Sequence, residues 1–382
     1  MDDVELRALV PHVLSVLVRR GADFATAEDA VQEALIRALS AWGDDAPADP
    51  TGWLVTVAWR AFLDVVRSES ARRDREVRYY SEPPAGVVAG DDDTLRLYFS
   101  CAHPDLTLSS AVALTLRAVG GLTTRQIAQA YLVPEPTMAQ RISRAKRTVD
   151  QVGVARPGDV RTVMRVLYLV FNEGYSGDVD LAAEAIRLTR QLAALTDDPE
   201  VKGLLALMLL HHARRRSRTR PDGSIVPLAE QDRSVWDTAL IAEGVQIVQA
   251  ALMRDRLGEF QAQAAIAALH ADAARVEETD WGQIVEWYDE LLRFADTPIV
   301  RLNRVVAIGE AKGAPAGLGA LAEVDDVPRR DAVAAYLHEK NGDLELATRL
   351  YADAARTAPN TAERDHQARQ AARLNEQLRE RR

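Results

Sequence analysis

The residues best suited to chemistry lie in a basic segment, residues 136–149, which carries four cationic side chains and no acidic one. As a helix, the segment would bury one apolar row: Met138, Ile142, Ala145 and Val149. The opposite face would expose Thr137, Gln140, Arg141 and Arg144. Arginine can bond guanine and glutamine can bond adenine, while Lys146 and Arg147 are placed for phosphate contacts. The pattern predicts a DNA-reading helix; the alternative is a solvated basic surface.

The residues before this helix predict how it is positioned. Residues 122–149 contain an apolar helix with Ile127, a short turn and then the basic helix. That order is typical of a helix-turn-helix unit, whose second helix enters the major groove. Glu135 at the helix start could accept a hydrogen bond from cytosine or simply favour the positive end of the helix.

A second candidate surface lies on a predicted helix at residues 53–73. Trp53, Arg60 and Arg67 recur at seven-residue intervals with Asp64 between them, and Trp59 and Phe62 are nearby. Rings that stack on bases and cations that follow the backbone suit single-stranded nucleic acid. Taken alone, aromatic residues on a helix more often belong to the core. The helix predicted over 27–42 exposes Asp29, Gln32 and Glu33, which by themselves indicate only a solvated face.

Motifs for catalysis or metal binding are weak. The sequence has no phosphate-binding glycine loop, no H-E-x-x-H pair and no nucleophile elbow. Cys101 and His103 supply two ligands, too few for a zinc site. His211 and His212 are interpreted as packed or capping residues. We therefore expect no catalytic residue, no metal and no cofactor, and a protein that is not an enzyme.

Composition indicates a soluble, globular, cytoplasmic protein of 382 residues with a formal net charge of −10. Its single cysteine suits a reducing compartment, and no apolar run approaches the ~20 residues of a membrane span. The start of the chain lacks the pattern of a signal peptide. Charge is nevertheless polarised, since residues 94–149 hold seven Lys or Arg against two acids, a local +5.

Hydrophobic spacing is helical almost throughout, so an all-α fold is predicted. Thr26 is expected to cap the helix at 27–42. Its predicted buried stripe is Val31, Ala34, Leu35, Ala38, Leu39 and Trp42. The stripe predicted for the 53–73 helix is Leu54, Val57, Ala58, Ala61 and Val65.

Breaks in the pattern predict the domain organisation. Residues 1–78 form one helical domain, residues 79–93 are a Pro- and Gly-containing linker, and residues 94–153 form the helix-turn-helix domain. After a further break, residues 160–382 form a helical extension. Within it, residues 334–360 have the small residues and final proline typical of a tetratricopeptide (TPR) repeat: Gly342, Leu344, Ala347, Tyr351, Ala354 and Pro359.

Three segments in this order resemble bacterial RNA polymerase sigma factors of the extracytoplasmic-function (ECF) class, in the sigma-70 family. They are residues 27–42, 52–73 and 122–149. The long extension, with "VLYLVFNEGYSG" at 166–177, resembles that of the subgroup with a TPR-like C-terminal domain. The resemblance implies two sigma domains, region 2 at 1–78 and region 4 at 94–153.

The resemblance also implies roles for individual residues. Core RNA polymerase would be held through its β′ clamp by Asp29, Gln32 and Glu33, and through its β flap by region 4. Promoter DNA would be bound at the −10 element by Trp53, Arg60, Asp64 and Arg67. The −35 element would be read by Glu135, Thr137, Gln140, Arg141, Arg144, Lys146 and Arg147. The acidic run Asp91–Asp93 in the linker would mimic nucleic acid near the RNA exit path.

Two alternatives remain open at this point. One is a helix-turn-helix repressor or activator whose C-terminal region senses a ligand, which would need a dimer and palindromic half-sites. The other is a TPR adaptor with an incidental basic helix. For the extension we expect regulation in cis and a protein or peptide partner, with no membrane as a partner.

Overall fold

The structure is a computed structural model. It describes residues 3–42, 46–73, 94–152, 159–176, 179–220, 224, 226–324, 327–358 and 361–381. The chain divides into two compact units, Met1–Asp197 and Asp198–Arg382, called unit 1 and unit 2 below. The linker at 79–93 with Asp91–Asp93, and Pro359 of the repeat pattern, lie outside the described residues.

Unit 1 is helical apart from one pair of two-residue strands, so the predicted all-α fold is confirmed with that small addition. The two strands pair antiparallel, with Tyr175 opposite Asp180. Its elements are α1 (Asp3–Ala8), α2 (Val10–Arg19), α3 (Phe24–Ala41), α4 (Pro50–Arg73), α5 (Thr94–Cys101), α6 (Leu108–Ala118), α7 (Thr124–Ala130), α8 (Glu135–Val152), α9 (Val160–Glu173), β1 (Tyr175–Ser176), β2 (Val179–Asp180) and α10 (Leu181–Leu195).

The start of α3 corrects one prediction. The helix begins at Phe24, and the cap is Asp23, whose carboxylate accepts a hydrogen bond from the Thr26 N–H at 2.8 Å. Thr26 is therefore the recipient of the cap and not the cap itself. Asp23 and Thr26 are both good capping residues, and spacing alone does not choose between two candidates three positions apart.

Most members of the predicted buried stripes of α3 and α4 are buried. Trp42 and Val57 are only half-buried, and Leu39 and Val65 are exposed. In α3 the last buried residue is Ala38. In α4, among the side chains described up to Ser68, none beyond Phe62 is buried. Helical spacing identifies the apolar face, but it does not show how far along the helix a neighbour covers that face.

Unit 2 is a succession of helices joined by short turns. They are α11 (Pro199–Ala213), α12 (Thr238–Leu252), α13 (Glu259–Asp272), α14 (Trp281–Leu292), α15 (Pro298–Lys312), α16 (Ala314–Leu321), α17 (Arg330–Asn341), α18 (Leu344–Thr357) and α19 (Thr361–Glu380). One-turn 3-10 helices at Arg215–Ser217 and Arg233–Val235 lie between α11 and α12.

The repeat pattern in unit 2 corresponds to the hairpin of α17 and α18. Gly342 ends α17 in the left-handed conformation, with φ of 88°, which glycine adopts without strain. The apolar positions of the pattern in α18 are all buried: Leu344, Ala347, Tyr351 and Ala354. Three successive apolar clusters, spanning Ala262–Ile308, Leu302–Leu337 and Ala335–Leu374, continue along unit 2. The predicted helical extension is thus confirmed.

Among the residues that the structure describes, no helix is both long enough and apolar enough to cross a lipid bilayer.

Candidate nucleic-acid interface

The helix-turn-helix consists of α7 and α8 packed on α6. A capping box begins α7: the Thr123 hydroxyl accepts from the Gln126 N–H, and the Gln126 side chain accepts from the Thr123 N–H at 2.8 Å. In the turn, Leu132 takes a positive φ of 51°, and α8 begins at Glu135. The buried row predicted for α8 is confirmed: Met138, Ile142, Ala145 and Val149 are all buried.

The predicted reading row lies on the opposite side of α8. Thr137, Gln140 and Arg144 are exposed, and Arg141 is half-buried. These four residues line a surface depression of about 440 Å³. Glu135 and Arg147 are also exposed, and the Arg147 guanidinium donates to the Ser143 carbonyl at 3.4 Å.

The same depression contains residues that the sequence reasoning did not select. Thr107, Ser109 and Ser110 line it beside the reading row. Thr107 caps α6 by accepting from the Ser110 N–H at 3.3 Å, so the N-terminus of α6 opens onto the same surface. Hydroxyls and free amides at a helix start are suited to phosphate oxygens. The "TLSS" cap signature at 107–110 was the signal that could have identified them.

Lys146 is placed differently from its neighbours on α8. It is buried and pairs with two carboxylates of α3, Glu28 and Asp29, the latter at 2.7 Å. Arg117 of α6 pairs with the same fully buried Glu28, with 2.8 Å between Nε and Oε1. In this arrangement Lys146 therefore neutralises carboxylates of unit 1 and does not face solvent.

Further contacts join α3 to the helix-turn-helix. The Gln32 amide donates to the Arg117 carbonyl at 3.3 Å. The Phe24 N–H donates to Asp150 Oδ1 at 2.9 Å. Burial, with Asp23 nearby, raises the pKa of Asp150. The predicted exposure is wrong for Gln32, which is buried because α3 packs against α6 there, and it holds for Asp29 and Glu33. Asp29 pairs with Lys146, and Glu33 forms an ion pair with Arg37 on its own helix.

The predicted −10 residues lie on the open side of α4. Arg60, Asp64 and Arg67 are exposed, and Asp64 and Arg67 approach to 3.7 Å. Trp53 is half-buried and meets Trp42 edge-on, with ring centroids 5.0 Å apart. Trp59 and Phe62 are buried against each other, so the core interpretation is confirmed for those two rings.

The hairpin of α9 and α10 is part of unit 1. Glu184 of α10 is buried, lies 3.6 Å from Arg7 of α1 and pairs with Arg187. The Tyr98 hydroxyl of α5 donates to the Leu188 carbonyl at 2.9 Å, and burial raises its pKa. Gly174 ends α9 with φ of 69°, which glycine adopts without strain. The extension thus begins with two helices bound to the first two domains.

Comparison with known proteins gives matches to three segments. Residues 6–72 match Sigma-70 region 2, residues 96–149 match Sigma-70 region 4, and residues 159–252 match a family of unknown function, DUF6596. No solved structure matches the chain. The first two matches coincide with α1–α4 and α5–α8, which carry the candidate surfaces described above.

Relatives agree with these matches. An uncharacterized protein of Rhizobium meliloti (strain 1021), R00370, is 39% identical over 90% of this chain and 86% of its own length. The probable ECF RNA polymerase sigma factor SigI of Mycobacterium tuberculosis (strain ATCC 25618 / H37Rv) is 31% identical over 47% of this chain and 65% of its own length. The ECF RNA polymerase sigma factor SigJ of that strain is 31% identical over 42% of this chain and 53% of its own length.

The chain belongs to the sigma-70 family, in the ECF class of RNA polymerase sigma factors. A member of this family is not an enzyme; it directs transcription initiation by binding core RNA polymerase and promoter DNA. These matches favour this class over the two alternatives, a helix-turn-helix repressor or activator and a TPR adaptor. The matched part covers less than two thirds of the length of SigI and of SigJ.

Proposed function

We propose that α8 reads the −35 element through Thr137, Gln140, Arg141 and Arg144. The supporting observation is that this row lines one depression together with the N-terminus of α6. The arginine and glutamine side chains would bond base edges in the major groove, and Arg147 and the α6 terminus would hold phosphates. Glu135, exposed at the start of α8, would accept from cytosine.

Region 2 would supply the remaining sigma functions. Trp53, Arg60, Asp64 and Arg67 on α4 would hold the non-template strand of the −10 element, and the exposure of the three charged residues supports this. Asp29, Gln32 and Glu33 would bind the β′ clamp. Region 4 would contact the β flap.

We infer that the contact between α3 and α8 is a closed form of the sigma factor. Lys146 is buried and pairs with Asp29, and Gln32 is buried and donates to the Arg117 carbonyl, so in this arrangement neither Lys146 nor Gln32 faces a partner. Regions 2 and 4 would separate when polymerase binds. The α9–α10 hairpin, through Glu184 and its ion pairs, would hold the closed form and so provide the regulation in cis that the extension implies.

The test of the reading row is run-off transcription with bacterial core polymerase and a pool of genomic promoters. Arg141→Ala and Arg144→Ala should each cost about 1–3 kcal/mol of discrimination between promoters if the side chains read bases. Arg165→Ala, an exposed arginine of α9, is the matched control. A uniform loss over all promoters would make the two arginines phosphate anchors, and no promoter-dependent transcript with the wild-type protein would refute the function itself.

The test of the closed form uses Glu184→Gln in the full chain, because the amide keeps the shape of the side chain and removes its charge. Transcription at limiting sigma concentration should rise, since the closed form is weakened. Glu345→Ala, at an exposed position of α18, should leave transcription unchanged. Equal activity of the Glu184 variant and the wild type, with both proteins folded, would contradict regulation through the hairpin.

A further inference from the structure

A cluster of cationic and imidazole side chains lies within unit 2. It comprises His211, Arg214, Arg218, Arg233 and His270. Arg214 Nη2 lies 3.1 Å from His211 Nδ1. The guanidinium carbons of Arg233 and Arg214 lie 4.7 and 5.8 Å from the ring centroid of Trp236. Two arginines thus share one indole ring.

Helix ends place three of these residues. His211 is in the last turn of α11, Arg214 directly follows that helix, and His270 is in the last turn of α13. The buried Trp236 donates from Nε1 to the Ser217 hydroxyl at 2.8 Å, and Ser217 donates to the Arg214 carbonyl at 2.9 Å. The indole and the backbone of Arg214 are therefore held before anything binds.

The cluster lacks a neutralising carboxylate. Among the described residues, no carboxylate oxygen lies within the 4.0 Å of an ion pair from Arg214, Arg218 or Arg233, and Glu277 and Glu278 attract Arg233 only from farther away. Burial together with the neighbouring cations lowers the pKa of Arg214 to about 10 and that of His270 to about 4. Arg214 and Arg233 are half-buried and Arg218 is exposed; a cation that is partly withdrawn from water is ordinarily paired, because losing its hydration is costly.

Two buried nitrogen atoms of the cluster have no hydrogen-bond partner among the described residues, which indicates the kind of ligand that would fit. Arg233 Nη1 donates to the carbonyls of His270 and Ala273, each at 2.6 Å, and so caps α13. Arg233 Nη2 is buried and has no hydrogen-bond partner among the described residues, and the same is true of His270 Nδ1. Capping α13 therefore uses Nη1 of this guanidinium, while Nη2 has no partner in the part of the chain that the structure describes.

We propose that this cluster binds an oxyanion, the phosphate or carboxylate group of a small molecule. Guanidinium groups recognise such groups through paired, charge-assisted hydrogen bonds. A bound anion would neutralise Arg214 and Arg233, accept from Arg233 Nη2 and favour protonation of His270. The site lies mainly within the segment 159–252, for which the matching family states no function. It makes the extension a sensor of a small anionic ligand.

The test measures binding of inorganic phosphate and of malonate to the full chain, by calorimetry and by melting temperature, with chloride added to keep the ionic strength constant. One of the two oxyanions should bind and raise the melting temperature above that in chloride. Arg214→Gln and Arg233→Gln should each weaken binding about tenfold or more. Arg216→Gln, at an exposed neighbouring arginine, should bind as the wild type does.

The phosphate and malonate arms separate the two chemical sources of the oxyanion. An equal response to phosphate, malonate and chloride would overturn the proposal, and so would the same weakening in the Arg216 and Arg214 variants. Arg214→Gln should melt no lower than the wild type in chloride, because it removes a cation that its neighbours repel. Should that variant fail to fold, Arg218→Gln, at an exposed position, should give a smaller but measurable weakening.

Discussion

Cations that are buried or half-buried are balanced in opposite ways in the two units. In unit 1, Arg117 and Lys146 share the fully buried carboxylate of Glu28, and Lys146 also reaches Asp29. In unit 2, Arg214 and Arg233 lie against the Trp236 ring, and no described carboxylate lies within ion-pair distance of either. The first cluster has its carboxylates within unit 1, whereas for the second we propose a charge from a bound anion.

This difference assigns different tasks to the two clusters. A complete ion-pair cluster between α3 and the helix-turn-helix holds two parts of the chain together and hides Lys146 from DNA. An incomplete cluster stores unfavourable electrostatic energy, which a bound anion can release. Both clusters use the same side-chain chemistry. Where a carboxylate is present, the cations hold two helices together. Where none is within reach, they are available to a ligand.

The largest effect is expected from removing the carboxylate that completes the first cluster. Glu28→Ala leaves Arg117 and Lys146 buried without their common partner, which typically costs about 3–5 kcal/mol of unfolding free energy. Urea unfolding measures the loss. Glu33→Ala, which removes an exposed partner of Arg37 on the same helix, should cost less than about 1 kcal/mol. Similar losses of unfolding free energy in the two variants would contradict the prediction that burial makes the Glu28 ion pairs important for stability.

A second prediction concerns acid and applies to unit 2. Burial and neighbouring arginines lower the pKa of His211 to about 3 and that of His270 to about 4, from an ordinary value of 6.5. Between pH 6.5 and about pH 3, the unfolded chain therefore binds more protons at these two histidines than the folded chain does. The histidines contribute no loss of stability above pH 6.5. Below it stability falls, by on the order of 2–3 kcal/mol for each imidazole at pH 4.5.

Melting temperatures from pH 7 to pH 4.5 measure this slope. The double variant His211→Gln, His270→Gln is the comparison, because Glu200, whose pKa burial raises, acts in the opposite direction in both proteins. The slope should be shallower in the double variant and, in the wild type, shallower with phosphate present. A wild-type slope equal to that of the double variant would show that the imidazoles are not held neutral by the cluster.

Local sequence pattern was sufficient for the elements and for the two faces of α8. Met138 and Ile142 are buried and Gln140 and Arg144 exposed because a helical period places them on opposite sides, whatever else the chain does. The cap of α3 at Asp23, and the exposure of Leu39, depend on where the helix begins and on how far its neighbours extend. The helical spacing of apolar residues predicts neither the position of the cap nor the exposure of Leu39.

The two ionic clusters were not predictable in the same way. Glu28 lies 89 positions before Arg117 and 118 before Lys146, so only the fold shows that they meet. In the sequence, Lys146 is one of four cations of α8 that look equally available to DNA. The structure shows that it differs from the others because it forms ion pairs with α3. Arg214 and Arg233 lie 19 positions apart in the sequence, and only the fold shows that both lie against the Trp236 ring.

The smallest expected effect is the coupling energy between an arginine and the Trp236 ring, which can be compared with that between a lysine and a carboxylate. A double-mutant cycle of Arg233→Gln with Trp236→Leu should give a coupling of about 0.5–1 kcal/mol in the absence of phosphate, the range of a cation–π contact. The Arg214–Trp236 pair, at the longer distance of 5.8 Å, should couple more weakly. A cycle of Glu28→Gln with Lys146→Met should exceed both, because a desolvated ion pair is stronger than a ring contact. If the Arg233–Trp236 coupling matched that of Glu28 and Lys146, the ring would already balance the arginine, and no anion would be needed to complete the cluster.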